Sequence, residues 1–242
     1  MSEIVVKNLS SSYKNGRKDS ILALKNLSGE FLDGYINVIL GPSGCGKTTL
    51  LKVLLGLKDY DGDVELDGND ILYLKPKDRN FAFVSQKIAL YPKMTIFENI
   101  AFPLVIKGYD RKDIVDLVNE IAEELKISEC LSRKPKHISI GQAQRAALGR
   151  ALVKNAAFYF FDEPLSNIDE QNRVIEMRLI KELIKKRRAS AIYVTHSLKE
   201  ALFFADKIFV MDEGNFIFDG TPEEFLKSKE PKIKEIIESS DE

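Results

Sequence analysis

The chain has 242 residues, of which 44% are hydrophobic and 30% charged, and its 36 basic and 37 acidic residues give a formal net charge of −1. This composition is typical of a globular protein and excludes a disordered chain, which would hold fewer apolar residues and more net charge. The balance of charges also argues against a nucleic acid partner, because it provides no bulk attraction to a phosphate backbone.

Neither a membrane-spanning helix nor a secretory signal is predicted. The longest uncharged stretch includes residues 35–46 and is interrupted by glycine and proline, whereas a spanning helix needs about 20 mostly apolar residues. The N-terminus has no basic segment followed by an apolar run. The two cysteines, Cys45 and Cys130, lack metal-ligand spacing, so we expect a reduced, cytosolic protein without a catalytic thiol.

The first 86 residues contain mostly predicted strands. Residues 35–40 form a compact apolar run, which indicates a strand buried on both faces. Leucines then recur at helical spacing over residues 48–57. In chain order we predict strands at 4–6, 21–24 and 27–31, a loop at 14–17, the strand at 35–40, the helix at 48–57, and strands at 62–66 and 81–84.

The middle of the chain is predicted to be helical, and alternating strands and helices then return. Helical periods over 111–126 and 141–153 indicate a helical insert at 87–157 between two β-rich halves. Thr221 is expected to begin a short helix, and the charged tail at 229–242 to fray. The elements predicted after the insert are a strand at 157–161, helices at 170–188 and 198–205, and strands at 190–195, 207–211 and 216–219.

Residues 41–49, GPSGCGKTT, match the phosphate-loop pattern G-x-x-x-x-G-K-[ST] and lie between a buried strand and a helix. Glycines let successive N–H groups point at phosphate oxygens, and the helix N-terminus adds its positive dipole end. We expect Lys47 to bridge the β- and γ-phosphates of a nucleotide and Thr48 to offer its hydroxyl to Mg²⁺. The predicted nucleotide-binding residues of this loop are Gly41, Pro42, Ser43, Gly44, Cys45, Gly46, Lys47, Thr48 and Thr49.

A second apolar strand ends in two adjacent carboxylates, Asp162 and Glu163. We expect Asp162 to hold Mg²⁺ through water, and Glu163 to accept a proton from an attacking water molecule. Alone, this pattern would be explained better by a strand that merely ends in acids. The phosphate loop makes the functional interpretation stronger.

Further features resemble the ATP-binding subunits of ABC transporters, in the order expected of that family. Residues 138–145, ISIGQAQR, are similar to the signature L-S-G-G-Q-x-Q-R, and residues 165–169, LSNID, to the D-loop. Gln86 matches the Q-loop glutamine, and His196, which closes a strand, matches the switch histidine. Tyr13 occupies the position where the family stacks an aromatic ring on adenine.

This resemblance covers about residues 3–225 and implies a fold. The implied fold is an α/β P-loop NTPase cassette, with a RecA-like core sheet, an N-terminal antiparallel β subdomain and an inserted α-helical subdomain. In it, one ATPase domain spans residues 1–242. Its catalytic core lobe comprises 1–86 and 158–242, and its helical subdomain, which carries the signature, comprises 87–157.

The resemblance also implies an ATPase that uses ATP and Mg²⁺ and acts as a dimer, each subunit's signature completing the partner's site. The catalytic residues it implies are Glu163 as base, His196 at the γ-phosphate or the water, and Gln86 as a sensor of metal and permease. The implied metal ligands are Thr48, Gln86 and Asp162. The remaining nucleotide-binding residues it implies are Tyr13, Ser139, Gly141, Gln142 and Asp169.

Two positions depart from the family pattern. Ile140 replaces the first signature glycine, and Ser197 follows the switch histidine where importers often have aspartate. We expect Ile140 to tilt the signature loop or slow the ATPase without inactivating it. We expect Ser197 to have little effect, because that position orients other groups.

The region around the Q-loop, residues 79–100, is similar to importer ATPases, especially those for sugars. Leu90, Tyr91 and Phe97 would offer an apolar surface to a permease helix, or they would pack the two lobes together. Sugar-importer ATPases usually carry a C-terminal regulatory domain, which a chain that stops at Glu242 is expected to lack. Nitrate, sulfonate, metal and polyamine importers therefore remain open.

The leading hypothesis is the ATPase subunit of an importer, peripheral on the cytoplasmic face of the membrane. Its expected partners are a second ATPase subunit, identical or paralogous, transmembrane permease subunits and an extracytoplasmic solute-binding protein, without nucleic acid. The alternatives are an ABC ATPase of an export or signalling complex, or a soluble ABC protein that acts on ribosomes or DNA. The transported substrate cannot be predicted, because the ATPase does not touch it.

Overall fold

The computed structural model describes residues 3–15 and 19–239. Its strands are β1 Ile4–Asn15, β2 Asp19–Phe31, β3 Ile36–Leu40, β4 Asp61–Leu66, β5 Asn69–Asp70, β6 Phe81–Val84, β7 Phe158–Asp162, β8 Ser190–Thr195, β9 Lys207–Asp212 and β10 Asn215–Gly220. Its α-helices are α1 Lys47–Leu54, α2 Ile96–Ile106, α3 Arg111–Glu124, α4 Ile140–Leu152, α5 Glu170–Lys186, α6 Leu198–Phe204, α7 Pro222–Leu226 and α8 Pro231–Glu238.

The N-terminal part forms an antiparallel sheet with the strand order β2-β1-β4-β5. Its first two strands form one long hairpin. The strands expected at 4–6, 21–24 and 27–31 lie within it, but β1 extends to Asn15 and β2 runs without a break from Asp19 to Phe31. Register shifts between Val6 and Leu9 and between Leu9 and Ser11 carry the pairing through polar residues that interrupt the apolar pattern. The expected loop at 14–17 lies partly outside the described residues.

The second sheet has the order β10-β9-β3-β8-β7-β6, with parallel pairing except between β9 and β10. All residues of β3 and β7 are buried, as expected of parallel strands covered on both faces. The α/β fold with an antiparallel N-terminal sheet and a helical insert is therefore confirmed.

The insert between β6 and β7 contains α2, α3 and α4. Helix α2 was not predicted, because Pro103 lies inside it and few polar residues mark its outer face. Its start is nevertheless well defined, since Thr95 and Glu98 form a capping box. Helix α1 ends at Leu54, earlier than the expected residue 57.

The C-terminal tail corrects another expectation. Residues 229–242 were expected to fray, yet Pro231–Glu238 forms α8. Ile233 is fully buried in the core, and Lys232 pairs with Asp212 at the end of β9. A short apolar anchor therefore docks this charged helix on the core sheet.

Side chains alternate along the core strands between two hydrophobic clusters. Val38, Phe161 and Tyr193 pack with helices α2 to α8 on one face, whereas Ile39 and Phe160 pack with α1 and the N-terminal sheet on the other. The sheet therefore separates two cores, and the carboxyl ends of β3, β8, β7 and β6 meet along one edge. Within the described residues, no helix is both long and apolar enough to cross a bilayer.

Candidate functional site

The segment 41–46 links the buried strand β3 to helix α1, as predicted. A Cβ atom on Gly41 would lie 2.2 Å from the carbonyl oxygen of Met211, and one on Gly46 would lie 2.6 Å from that of Ala23. Gly46 also has a φ of +114°, a conformation that side chains disfavour. Only glycine fits at both positions, so the backbone can curl tightly at both ends of the loop.

Lys47 and Thr48 begin α1 at the edge where the strands end. The Lys47 side chain is buried, and its Nζ donates to the carbonyl oxygens of Gly41 at 2.8 Å and Pro42 at 2.7 Å. The Thr48 hydroxyl donates to Asp162 Oδ1 at 3.0 Å. The two motifs that were predicted separately therefore join in one site.

Asp162 is a buried carboxyl at the end of β7. Its burial raises the pKa above the usual value, the Thr48 hydroxyl opposes that shift, and the neighbouring Glu163 charge adds to it. A cation would therefore be favoured beside this carboxylate. The hydroxyl of Thr48 and the carboxylate of Asp162 are the hard oxygen donors that Mg²⁺ prefers, so the donor set fits that ion.

The described residues contain no group of three or more His, Cys, Asp or Glu side chains arranged to hold a metal ion. This is compatible with Mg²⁺ chemistry, because that ion is usually bound by one or two carboxylates together with substrate phosphates and water. The site thus fits a metal that arrives with a nucleotide.

The three predicted catalytic side chains meet at the end of β7. Glu163 Oε2 lies 3.2 Å from His196 Nδ1 and accepts a hydrogen bond from Gln86 Nε2 at 3.4 Å. Gln86 and His196 follow β6 and β8, the strands on either side of β7. Since these parallel strands end at one edge, residues far apart in the sequence converge.

The backbone at Glu163 is unusual. Its φ is +45°, in the left-handed region that non-glycine residues rarely adopt. Its N–H donates to the carbonyl oxygen of Val194 at 3.0 Å, which holds the residue against the end of β8. Strain of this kind is typical of functional positions, and the carboxylate of this strained residue contacts His196.

Tyr13 lies beside the phosphate loop, but its ring is not free on both faces. Its hydroxyl lies 3.1 Å from Thr49 Oγ1, and Lys58 Nζ sits 3.7 Å from the ring centroid. The side chain is half exposed. The predicted position near the nucleotide is compatible with this geometry, and one ring face is covered by a cation.

A cavity of about 570 Å³ is lined by Tyr13, by the loop residues Ser43 to Thr49 and by Gln86 and Glu163. Sequence reasoning missed another part of its wall, at Ile21 and Leu22, which are 57% and 48% exposed. The signal available in the sequence was a pair of consecutive apolar residues on a predicted strand, because neighbouring side chains point to opposite faces and both cannot face one core.

The signature and D-loop residues lie elsewhere. Ser139, Gly141, Gln142 and Asp169 line a second cavity of about 480 Å³, and among the described residues the two cavities share no lining residue. The signature and D-loop residues therefore do not meet the phosphate loop of their own chain.

Both elements of this second cavity begin helices. Ser139 Oγ accepts from Gln142 N at 3.2 Å, and Ser139 N donates to Gln142 Oε1 at 3.0 Å, so these two residues form a capping box at α4. Asp169 caps α5 by accepting from Asn172, and these hydrogen bonds lower its pKa. Both helix N-termini open toward the cavity with their positive dipole ends.

Ile140 does not disturb this cap. It is the first residue of α4, and its side chain is 66% exposed. Apart from the neighbouring residues and the backbone of its own helix, no atom lies within 4 Å of the position that a Cβ on Gly141 would take. The signature helix therefore starts normally despite the substitution, and the expected tilt of the loop is not needed to accommodate it.

The apolar residues after the Q-loop were expected either to offer a surface to a permease helix or to pack the two lobes together, and they differ in their exposure. Leu90 and Phe97 are partly buried and pack against the core, whereas Tyr91 is 42% exposed. The Tyr91 ring contacts Phe102 at 4.8 Å and lies 5.5 Å from the Arg150 guanidinium. Tyr91 thus offers an accessible surface, and its two neighbours serve packing.

Neither cysteine has the surroundings of an activated thiol. Cys45 and Cys130 are both buried, and burial raises the pKa of each thiol. A nucleophilic cysteine needs the opposite shift.

Comparison with known proteins adds three findings. Residues 24–166 match the sequence model of a family described as ABC transporter. The sn-glycerol-3-phosphate import ATP-binding protein UgpC of Chromobacterium violaceum is 40% identical over 226 residues, which are 93% of this chain and 60% of that protein. The trehalose/maltose import ATP-binding protein MalK of Thermococcus litoralis is 43% identical over 211 residues, which are 84% of this chain and 57% of that protein.

This chain thus spans about 60% of the length of the curated relatives it matches. Among solved structures, a dimeric post-hydrolysis state of the ATP-binding cassette MJ0796, bound to ADP and Pi, aligns with a TM-score of 0.82 at 28% identity. That alignment covers 90% of this chain and 98% of the other.

Proposed function

The chain belongs to the ABC transporter family, and on this premise we propose that it binds and hydrolyses ATP as the nucleotide-binding subunit of an importer. The observation that carries the proposal is the convergence of Gln86 and His196 on the Glu163 carboxylate, at 3.4 and 3.2 Å, beside the cavity of the phosphate loop. An acid with two donors, next to a phosphate cradle, is suited to activate a water molecule.

In this proposal the phosphates lie in the cradle formed by Gly41 to Thr49. Lys47 and the backbone N–H groups neutralise their charge. Tyr13, Ile21 and Leu22 form the wall for the base. Thr48 and Asp162, with Gln86 nearby, would hold Mg²⁺, and the ion would supply further neutralisation of the phosphate charge.

Glu163 takes the proton of the attacking water on its carboxylate. Gln86 and His196 fix the direction of that carboxylate, and His196 would act at the γ-phosphate or the attacking water. Because the site residues come from the ends of β6, β7, β8 and the loop after β3, their geometry depends on the sheet and is preorganised.

A second subunit would complete the site. Ser139, Gly141, Gln142 and Asp169 line a separate cavity in this chain, so we assign them to the nucleotide held by a partner ATPase subunit. The dimeric cassette among the structural neighbours supports this arrangement. We further propose residues 87–157 as a helical subdomain and residues 1–86 and 158–242 as the catalytic lobe.

Transport would require partners outside this chain. We propose permease subunits that recruit the chain to the cytoplasmic face of the membrane, and a solute-binding protein on the other side. The support is the naming of two relatives as import ATP-binding proteins, for sn-glycerol-3-phosphate and for trehalose and maltose. A solute of that polar, hydroxyl-rich kind is the proposed cargo class.

The test measures ATP hydrolysis by the purified chain as the rate of phosphate release, and ATP affinity by calorimetry. Glu163→Gln should lower turnover by about a hundredfold or more while ATP affinity stays within about threefold, because the amide keeps the shape of the carboxylate. Glu182→Gln, on the exposed side of α5, is the matched control and should behave as wild type.

Chelation of Mg²⁺ should abolish turnover in the wild type. Wild-type turnover in Glu163→Gln would refute the assigned base. Failure of the wild-type chain to bind ATP would refute the nucleotide site itself.

A further inference from the structure

Glu200 is a buried carboxylate that the proposed chemistry does not use. It lies in α6, one turn after His196, and is 5% exposed. Its Oε2 atom accepts two hydrogen bonds, from the Tyr193 hydroxyl at 3.0 Å and from the Thr195 hydroxyl at 2.8 Å. Among residues 3–15 and 19–239 it has no ion pair with a cation, so these hydroxyls are what offset its burial.

The hydroxyl of Thr195 has a second contact. A hydroxyl has one proton, and that of Thr195 is given to Glu200. Its lone pairs therefore remain for the backbone N–H of Ser197, which donates to Thr195 Oγ1 at 3.0 Å. Ser197 is in turn bound at its side chain, since Ser197 Oγ accepts from the N–H of Glu200 at 3.3 Å.

These contacts involve the residues on both sides of His196 in the chain. The residue before it and the residue after it are both tied to Glu200, while its own side chain is 54% exposed. Packing alone cannot fix the direction of so exposed a ring. Besides the contact between His196 Nδ1 and Glu163 Oε2 at 3.2 Å, the position of the ring depends on the backbone of residues 195–197, which the hydrogen bonds among Thr195, Ser197 and Glu200 hold in place.

We propose that Thr195 and Glu200 are positioning residues that hold the imidazole of His196 in line with the Glu163 carboxylate. This inference rests on the proposed ATPase function and deepens it. Thr195 acts through the N–H of Ser197, and Glu200 acts by fixing the proton of the Thr195 hydroxyl. Neither group touches the nucleotide.

The structure supplies a matched comparison for the test. Tyr193 and Thr195 are both buried and donate to the same oxygen of Glu200, so Tyr193→Phe and Thr195→Val each remove one such hydrogen bond. Only the Thr195 hydroxyl also contacts the backbone after His196. A purely structural role predicts similar effects of the two substitutions, and a positioning role predicts different ones.

Thr195→Val should lower kcat for ATP by about tenfold or more, since a small displacement of a catalytic group is costly, with KM within about twofold. Tyr193→Phe should keep both constants within about twofold of wild type, and Thr195→Ser should restore kcat because it keeps the hydroxyl. Equal losses of kcat in Thr195→Val and Tyr193→Phe would overturn the proposal, as would a loss confined to KM.

A spectroscopic readout separates this inference from the function on which it rests. The chain has two histidines. His137, whose side chain is exposed, therefore serves as an internal reference for the ring signals of His196 in NMR spectra. Thr195→Val should shift the His196 ring signals and leave those of His137, whereas Tyr193→Phe should shift neither. Unchanged His196 signals in folded Thr195→Val would refute the positioning role.

Should the wild-type chain fail to hydrolyse ATP, the proposed function falls, and the NMR comparison still decides whether Thr195 orients His196. If Thr195→Val does not fold by circular dichroism, Thr195→Cys replaces it. That variant keeps the side-chain volume but has only a weak donor and acceptor, and the same kcat and NMR outcomes apply to it.

Discussion

Breaking the ion pair between Arg145 and Glu176 should destabilise the chain far more than replacing both partners. Arg145 in α4 reaches Glu176 Oε1 in α5 through Nε at 2.8 Å and Nη2 at 2.5 Å, and its Nη1 donates to the carbonyl oxygen of Leu125 at 3.3 Å. The two side chains are 21% and 8% exposed. This pair joins the signature helix to the helix that begins after the D-loop.

The expected magnitude follows from these contacts. Arg145→Met leaves a buried carboxylate without its cation, which costs about 3 kcal/mol at the low end for a partly exposed arginine. The lost hydrogen bond to Leu125 adds about 1 kcal/mol, so the total is about 4 kcal/mol. In Arg145→Met/Glu176→Leu no buried charge remains, and about 1 kcal/mol of destabilisation should persist. Glu176→Leu then recovers about 3 kcal/mol in the Arg145→Met background instead of costing stability, so the two sites are coupled by at least about 3 kcal/mol.

The assay is urea unfolding monitored by circular dichroism for the wild type, both single variants and the double variant. Lys199→Met is the control, because Lys199 and Glu170 form a pair 3.4 Å apart whose side chains are 66% and 78% exposed. Its midpoint should equal that of the wild type. A double variant that is as unstable as Arg145→Met, or less stable, would refute the reasoning.

Three further outcomes are expected. Burial raises the pKa of Asp162 above 3.8, so ionisation of this carboxyl lowers the free energy of unfolding as pH rises from 3.8 through the raised pKa. Asp162→Asn should gain stability relative to wild type across this pH window. A difference in urea midpoints that does not change with pH would contradict the expectation. Gly46→Ala should lower both the melting temperature and ATP affinity, because its Cβ would meet the carbonyl oxygen of Ala23 at 2.6 Å, whereas Gly68→Ala, with open space around it, should leave ATP affinity intact. Ile233→Ala should destabilise the chain by about 2–4 kcal/mol, since Ile233 is fully buried; calorimetric melting temperatures equal to those of the half-exposed control Leu226→Ala would show that α8 contributes nothing.

Much of the candidate site was predictable because its residues follow strands. A buried run, a glycine-rich loop and a helix in succession place Lys47 at a strand end, and a second buried run places Asp162 and Glu163 at another. Parallel strands share an edge for their carboxyl ends, so the meeting of these residues with Gln86 and His196 follows from the fold class. Which side-chain atoms touch does not follow from it.

The missed features depend on pairing between distant segments. The β1–β2 hairpin continues through bulges that break the apolar alternation, and only the partner strand reveals that such a segment is a strand. Helix α2 contains Pro103, which argued against a helix locally. The hydrogen bonds around Glu200 could not be predicted either. A carboxylate near the start of a short helix is expected at the surface, and its burial depends on packing against the neighbouring strand.

The three N–H groups of the Lys47 ammonium have contacts of unequal strength. Two of them satisfy the carbonyl oxygens of Gly41 and Pro42, and the remaining neighbour is the Cys45 sulfur at 3.9 Å. A thiol sulfur is a weak acceptor, so an incoming phosphate oxygen would displace the poorest of the three contacts. The loop can accept its ligand while keeping both of its own strong hydrogen bonds. Phosphate binding at this lysine would therefore replace one weak contact and would need no opening of the loop.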